Sequence, residues 1–175
     1  MRCGFCNLFT TSQPASELVD QTLNAISRQS RSVADAVQPQ RVVQVAIGGG
    51  TPTYLQVDEL GPVLEMMHRD WPIGVGMNDV PFSVEVSPAT VNAAKLRLLI
   101  EYGVRRISMG VQSFNQRDLS SLGRPQQNEQ VEQSIALIRE SGVKIFNLDL
   151  IYGNQDQTEE DWLRTVETGL SHRPE

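Results

Sequence analysis

"GVRRISMGVQSF", Gly103–Phe114, is the stretch on which the fold turns. Its centre, Arg106–Val111, is short, mostly apolar and contains β-branched residues, and it closes on the polar pair Gln112–Ser113. That is the profile of a strand ending in a loop. Three other runs read the same way: Val42–Ile47, Phe82–Val86 and Val143–Ile151. Between them the apolar residues change period. Val19, Leu23, Ile26, Val33 and Val37 fall three, four or seven apart, as one face of a helix requires. Leu60, Leu64 and Met67 do likewise, and so do Val131, Ile135 and Ile138. Asn128 is expected to cap this last helix and Gly142 to end it. Thr158–Asp161, "TEED", signals the start of a final helix carrying Leu163, Val166 and Leu170. Nearly continuous apolar strands alternating with helices imply an α/β fold built from βα units on a parallel sheet.

Composition narrows the function. The chain has 175 residues, 39% of them apolar, enough for one domain with a real core over 1–175. Net charge is −6 and no Lys/Arg run occurs, so no nucleic-acid partner is expected. No apolar run is long enough to span a bilayer, so no membrane partner is expected either. Two cysteines cannot build a secreted disulfide framework, which makes a reducing cytoplasm the expected location.

Those two cysteines, Cys3 and Cys6, sit in "MRCGFC" at the very start. A Cys-x-x-Cys pair serves as a redox dithiol, half of a zinc site or part of an iron–sulfur site. His68 and His172 do not give a zinc spacing, and no strand precedes the pair as a thioredoxin-like dithiol needs. Other unusual residues gather where strands end. "GGGTPT" (Gly48–Thr53) follows the first strand-like run, Glu85 nearly closes "FSVEV", and Gln112 and Asp149 come late in their runs. In parallel α/β folds ligand groups collect at the carboxyl ends of strands. Each residue also has a plainer reading. Three glycines suit a tight turn, Glu85 a salt bridge, and Arg124 a solvated loop.

Taken in order, the motifs resemble the radical S-adenosylmethionine (SAM) superfamily, in the group around oxygen-independent coproporphyrinogen III oxidase and its haem-chaperone paralogue. The matching stretches are "RCGFC", "GGGTPT", "VEVSP", "GVRRISMGVQSF", "LGR" (Leu122–Arg124) and "NLDLIYG" (Asn147–Gly153), followed by Gln157–Thr158. The resemblance implies a TIM-like partial (β/α)6 barrel, here incomplete, with four recognisable βα units. It implies two cofactors, a [4Fe–4S] cluster and SAM, with Cys3 and Cys6 matching the second and third cluster cysteines. One iron stays open to SAM, whose reductive cleavage gives a 5′-deoxyadenosyl radical. Phe5 matches an aromatic lying against SAM. Gly49, Gly50 and Thr51 match the segment at SAM's amino end, and Glu85 a SAM-binding carboxylate. Gln112, Arg124 and Asp149 match polar groups at a second SAM position. The implied partners are a small-molecule substrate, a porphyrinogen or haem, and an electron donor such as flavodoxin or ferredoxin.

The sequence departs from the family at several points. The first cluster cysteine belongs four residues before Cys3, ahead of Met1, and the family continues past Glu175. A central piece of a longer protein is therefore the expectation, inactive by itself. Asn7-Leu8 and Asn154-Gln155-Asp156 stand where the family has other residues. Oxidase and haem chaperone both remain open on these grounds.

Overall fold

The computed structural model describes residues 4–6, 11, 13–74, 80–124 and 126–175. In chain order these form α1 (Ser16–Val37), β1 (Val45–Ile47), a single 3-10 turn (Pro52–Tyr54), α2 (Val57–Asp70) and β2 (Phe82–Val86). Then come α3 (Ala93–Glu101), β3 (Arg106–Gln112), α4 (Gln116–Ser121), α5 (Asn128–Glu140), β4 (Ile145–Leu150) and α6 (Glu159–Ser171). The strands make one four-stranded sheet in the order β1-β2-β3-β4, with every neighbouring pair parallel. Order and direction are those the alternation implies. β1 is shorter than its apolar run, starting at Val45 rather than Val42.

Parallel neighbours need crossovers, and the helices that make them cover one face of the sheet. Val84, Val86, Ile107, Met109, Val111 and Phe146 point into that covered face and are buried. Leu60 and Leu64 of α2, Leu96 and Leu99 of α3, and Val131, Ile135 and Ile138 of α5 pack on them as one cluster. Fully burying each such side chain stabilises the fold by roughly 1.5–3 kcal/mol. Alternate residues face the other way. Ser83, Glu85, Ser108, Gly110, Gln112, Asn147 and Asp149 therefore share the uncovered face.

Several helical details differ from expectation. α3 and α4 lie outside it altogether. Asn128 is the first residue of α5 rather than its cap, and its side chain instead donates to Phe114 O. Gly142, at φ +77°, does follow the end of α5. Thr158 caps α6 reciprocally with Asp161, as "TEED" implied. The apolar residues of α6, however, do not face the core: Leu163 and Leu170 are exposed, whereas Asp161, Thr165 and Gly169 are buried. Gly169 packs close to the sheet, where a Cβ would make ordinary van der Waals contact with Leu150 and Phe114 at 3.5 and 3.7 Å. Thr165 instead joins a buried polar network with Ser113, whose hydroxyl donates to the buried carboxylate of Asp118.

α1 departs in the same way. Ile26, Val33 and Val37 are exposed and only Ala34 is buried. The side turned to α2 carries serines. Trp71 Nε1 donates to Ser30 Oγ at 3.0 Å, and Arg31 and Arg69 both reach the Asp70 carboxylate. Arg69, with help from Arg31 and Ser30, holds the Asp70 carboxyl far below the usual carboxylate range. Val19 and Leu23 of the expected face are half-buried, and polar pairing supplies the rest of the docking of α1 on α2.

Candidate functional site

The parallel register brings the site residues together at one end of the sheet. Ile47, the last residue of β1, pairs with Val84, so the chain leaving β1 passes beside Glu85. Glu85 pairs with Ser108, and Asp149 pairs with Gly110, two residues before Gln112. Gly49, Glu85, Gln112 and Asp149 thus line a single rim at the carboxyl ends of four adjacent strands.

Gly48–Thr51 and Glu85 are built as a unit. Gly49 N–H donates to Glu85 Oε2 at 3.2 Å. Gly49 and Gly50 have φ of +85° and +64°, the left-handed backbone that glycine adopts without strain. Gly48 has a different reason to be glycine. A Cβ on it would lie 2.8 Å from the carboxyl carbon and Oε1 of Glu85. The glycine run therefore serves close approach to a carboxylate at its first position and backbone turning at the next two. Beyond it, Thr51 O accepts from Tyr54 N–H and starts the 3-10 turn.

The β3 side carries the strain. Gln112 sits at φ +71°, at a register shift between Gly110 and Gln112. A non-glycine residue held there costs roughly 1–3 kcal/mol, and such outliers and bulges concentrate at functional sites. The structure holds it from both neighbours. Gln112 O accepts from Ile151 N–H, and the side chain lies over Gly110, where a Cβ would be 2.7 Å from Nε2. Arg124 closes in from the loop after α4. Its guanidinium donates to Gly110 O at 2.5 Å, to Gln126 Oε1 at 2.8 Å and to Ser87 Oγ at 3.4 Å. Half-buried and spanning β2 and β3, it is no solvated loop residue. Gln126, buried, fixes it and donates in turn to Val111 O at 2.6 Å.

Asp149 is held separately. Ser108 Oγ donates to its Oδ2 at 2.8 Å, and Asn147 Nδ2 donates to its Oδ1 at 2.7 Å and to Ser108 Oγ at 2.8 Å. Both carboxylate oxygens are oriented by side chains of the uncovered face. Gly4 N–H donates to Leu122 O at 2.8 Å, which lays the Phe5–Cys6 stretch beside the turn leading into Arg124. Phe5 is exposed and Cys6 half-buried. Cys3 lies outside the described residues. Among the described residues no cluster of three or more His, Cys, Asp or Glu forms a metal cage.

Ser108, Asn147 and Gln126 are the residues that sequence reasoning did not single out, and Gly48 was noted only as part of the glycine run. Ser108 and Asn147 do alternate with apolar neighbours along their strands, but a small polar residue in such a run has many ordinary uses.

In described composition and layout the rim suits a small polar ligand. Its donors are backbone amides and anchored side chains, and its acceptors are two carboxylates, Glu85 and Asp149.

Comparison with known proteins gives a consistent result. The chain is 35% identical over 170 residues to the heme chaperone HemW of Bacillus subtilis, covering 97% of this chain and 43% of that protein. It is 29% identical to the oxygen-independent coproporphyrinogen III oxidase of Helicobacter pylori, over 99% of this chain and 38% of the relative. The solved coproporphyrinogen III oxidase HemN of Escherichia coli, described as a radical SAM enzyme, superposes with a TM-score of 0.87 at 29% identity. That match covers 98% of this chain and 39% of HemN. The chain therefore spans about two fifths of the length of these relatives. The family model of the radical SAM superfamily matches residues 1–169, and the chain belongs to that superfamily.

Proposed function

We propose that residues 1–175 form a radical SAM core domain of the coproporphyrinogen-oxidase and haem-chaperone group, which binds SAM at the rim and contributes thiolates to a [4Fe–4S] cluster. The observation that carries the reading is the pairing of the glycine loop with Glu85. A carboxylate fixed against left-handed glycines, beside an open face, suits a ligand with an amino group and hydroxyls. Phe5 supplies an aromatic surface for it, and Gly49, Gly50 and Thr51 present backbone groups. Gln112, Arg124 and Asp149 line a neighbouring position for a second polar ligand.

The donor chemistry also fits a cluster in part. Cys3 and Cys6 are soft thiolate ligands suited to iron, and His68 and His172 do not stand at a zinc spacing from them. When bound, cluster and SAM together supply reductive cleavage of a sulfonium to a carbon-centred radical. The chain's own residues do the rest. Glu85 accepts hydrogen bonds from the ligand's cationic end. The glycine loop lets it approach without a side chain in the way. Ser108 and Asn147 keep Asp149 turned toward the open face.

In the finer reading, the substrate is a porphyrinogen undergoing oxygen-independent oxidation. HemN and the Helicobacter pylori relative favour it, with haem transfer, as named for HemW, as the second reading. A cytoplasmic setting and a donor such as flavodoxin or ferredoxin complete the proposal, since thiolates and cluster need reducing conditions. No helix among the described residues is long and apolar enough to cross a membrane.

The test is anaerobic reconstitution with iron and sulfide, reading iron per chain after desalting. Wild type should retain iron below a full cluster's complement, because only two cysteines are present. The Cys3→Ala/Cys6→Ala variant should retain none. Equal iron in both would refute cluster binding.

A further inference from the structure

Lys95 is the one lysine buried among the described residues, with 3% of its surface exposed. Lysine is almost never fully buried unless paired, because moving an ammonium out of water is costly. Among the described residues no carboxylate forms a salt bridge with it. Its Nζ instead donates to two backbone carbonyls, Thr53 O at 2.7 Å and Thr90 O at 3.2 Å. The hydroxyls of the same two threonines share a hydrogen bond of 2.7 Å, and Thr53 is fully buried. A buried charge kept on two loops, where any apolar residue would fill the space at lower desolvation cost, calls for a reason in what those loops carry.

They carry the rim. Thr53 closes the GGGTPT segment, two residues after Thr51. Thr90 ends the turn after β2 that begins at Ser87, two residues after Glu85, and Thr90 N–H donates to Ser87 O. Ser87 also accepts from Arg124. Asn92 caps α3 through Lys95 N–H, so the lysine's own backbone is pinned to the same turn. Beside this clamp and β1–β2 pairing, the glycine loop is hydrogen-bonded to β2 through the 3.2 Å contact of Gly49 N–H with Glu85. Burial pushes the Lys95 ammonium down from its ordinary value, and the field of Glu59 on α2 partly opposes that shift.

We propose that Lys95 is a positioning residue for the rim. Its ammonium bolts the carbonyl behind the glycine loop to the carbonyl behind Glu85, and so sets the spacing between the two groups that hold the ligand. The inference rests on the reading of Gly48–Thr51 and Glu85 as a SAM site. A purely structural lysine would lower stability and leave that spacing alone.

The test compares Lys95→Met with Leu99→Ala, a control at a buried apolar position one turn further along the same helix that makes no hydrogen bond in the clamp. Both lower stability, but only the first releases the clamp. Amide hydrogen exchange in the reconstituted chain should rise about ten-fold or more at residues 49–56 and 87–91 in Lys95→Met, and not selectively there in Leu99→Ala. SAM affinity by calorimetry should fall about ten-fold in Lys95→Met and stay within about two-fold of wild type in Leu99→Ala. Thr90→Val, which keeps the shape and removes the hydroxyl pair with Thr53 together with the weaker bond to Ser87 O, should give a smaller loss of the same kind if Lys95→Met fails to fold. Unchanged exchange at 49–56, or wild-type SAM affinity in the folded clamp variants, would overturn the proposal. A wild-type chain that binds no SAM overturns the SAM reading instead, and the exchange comparison then decides the clamp alone.

Discussion

The two faces of the sheet are made of the same strands and obey different rules. On the covered face, Val84, Ile107, Met109 and Phe146 are at most 1% exposed and interchangeable in kind. On the open face, one residue along, Glu85, Ser108, Asn147 and Asp149 are polar and each is tied to a named partner. The first face is held by area removed from water, which is indifferent to which apolar group supplies it. The second is held by directed hydrogen bonds, which are not. The difference teaches that stability and ligand affinity should separate by face.

The largest expected effect is on the covered face. Phe146→Ala should cost about 3–5 kcal/mol, read as a shift of the urea midpoint at constant slope. A loss under about 1 kcal/mol would mean that β4 is not packed as described. Ser108→Ala should be far milder, about 0.5–1.5 kcal/mol, because Asp149 keeps its bond from Asn147 and the open face admits water. A Ser108→Ala loss as large as that of Phe146→Ala would break the contrast. Gly48→Ala sharpens it further. The new Cβ cannot share space with the Glu85 carboxylate, so SAM affinity should drop while the unfolding midpoint shifts by about 1 kcal/mol or less.

The smallest effect lies in the α1–α2 flank and appears only in acid. The Asp70 carboxyl is depressed by Arg69 and Arg31, so its stabilisation is complete above the unfolded Asp value of about 3.9. It is lost as pH falls from there toward the depressed folded value. Melting temperature should therefore drop between pH 5 and pH 2.5 by a smaller margin in Asp70→Asn than in wild type. Parallel profiles would show that the arginines contribute nothing there.

What could be read from sequence follows the same division. The strands were legible because β-branched runs such as Val143–Ile151 have few alternatives, and Glu85 stood out as a lone charge between valines. The faces of α1 and α6 were not. Ser27, Ser30, Asp161 and Thr165 face inward through hydrogen bonds to Arg69, Trp71, Asn115 and Ser113, and hydrophobic periodicity is blind to polar docking. Small polar residues such as Ser108 and Asn147 have too many ordinary uses to be singled out before their neighbours across the sheet are known. Lys95 was hidden for a related reason: a lysine near a helix start reads as solvated until its carbonyl partners are seen. Gln112 shows a third limit, since nothing in "GVQSF" announces a left-handed backbone at glutamine.

The central claim is that the rim formed by the glycine loop and Glu85 holds SAM. Its most direct test is calorimetric titration of SAM into the anaerobically reconstituted chain, wild type against Glu85→Gln. The variant keeps shape and one acceptor but removes the charge-assisted bond, so affinity should fall roughly ten- to hundred-fold, the equivalent of about 1.5–3 kcal/mol. Its unfolding midpoint should stay within about 0.5 kcal/mol of wild type. Equal SAM affinity in the two proteins, or no binding by the wild type, would contradict the account.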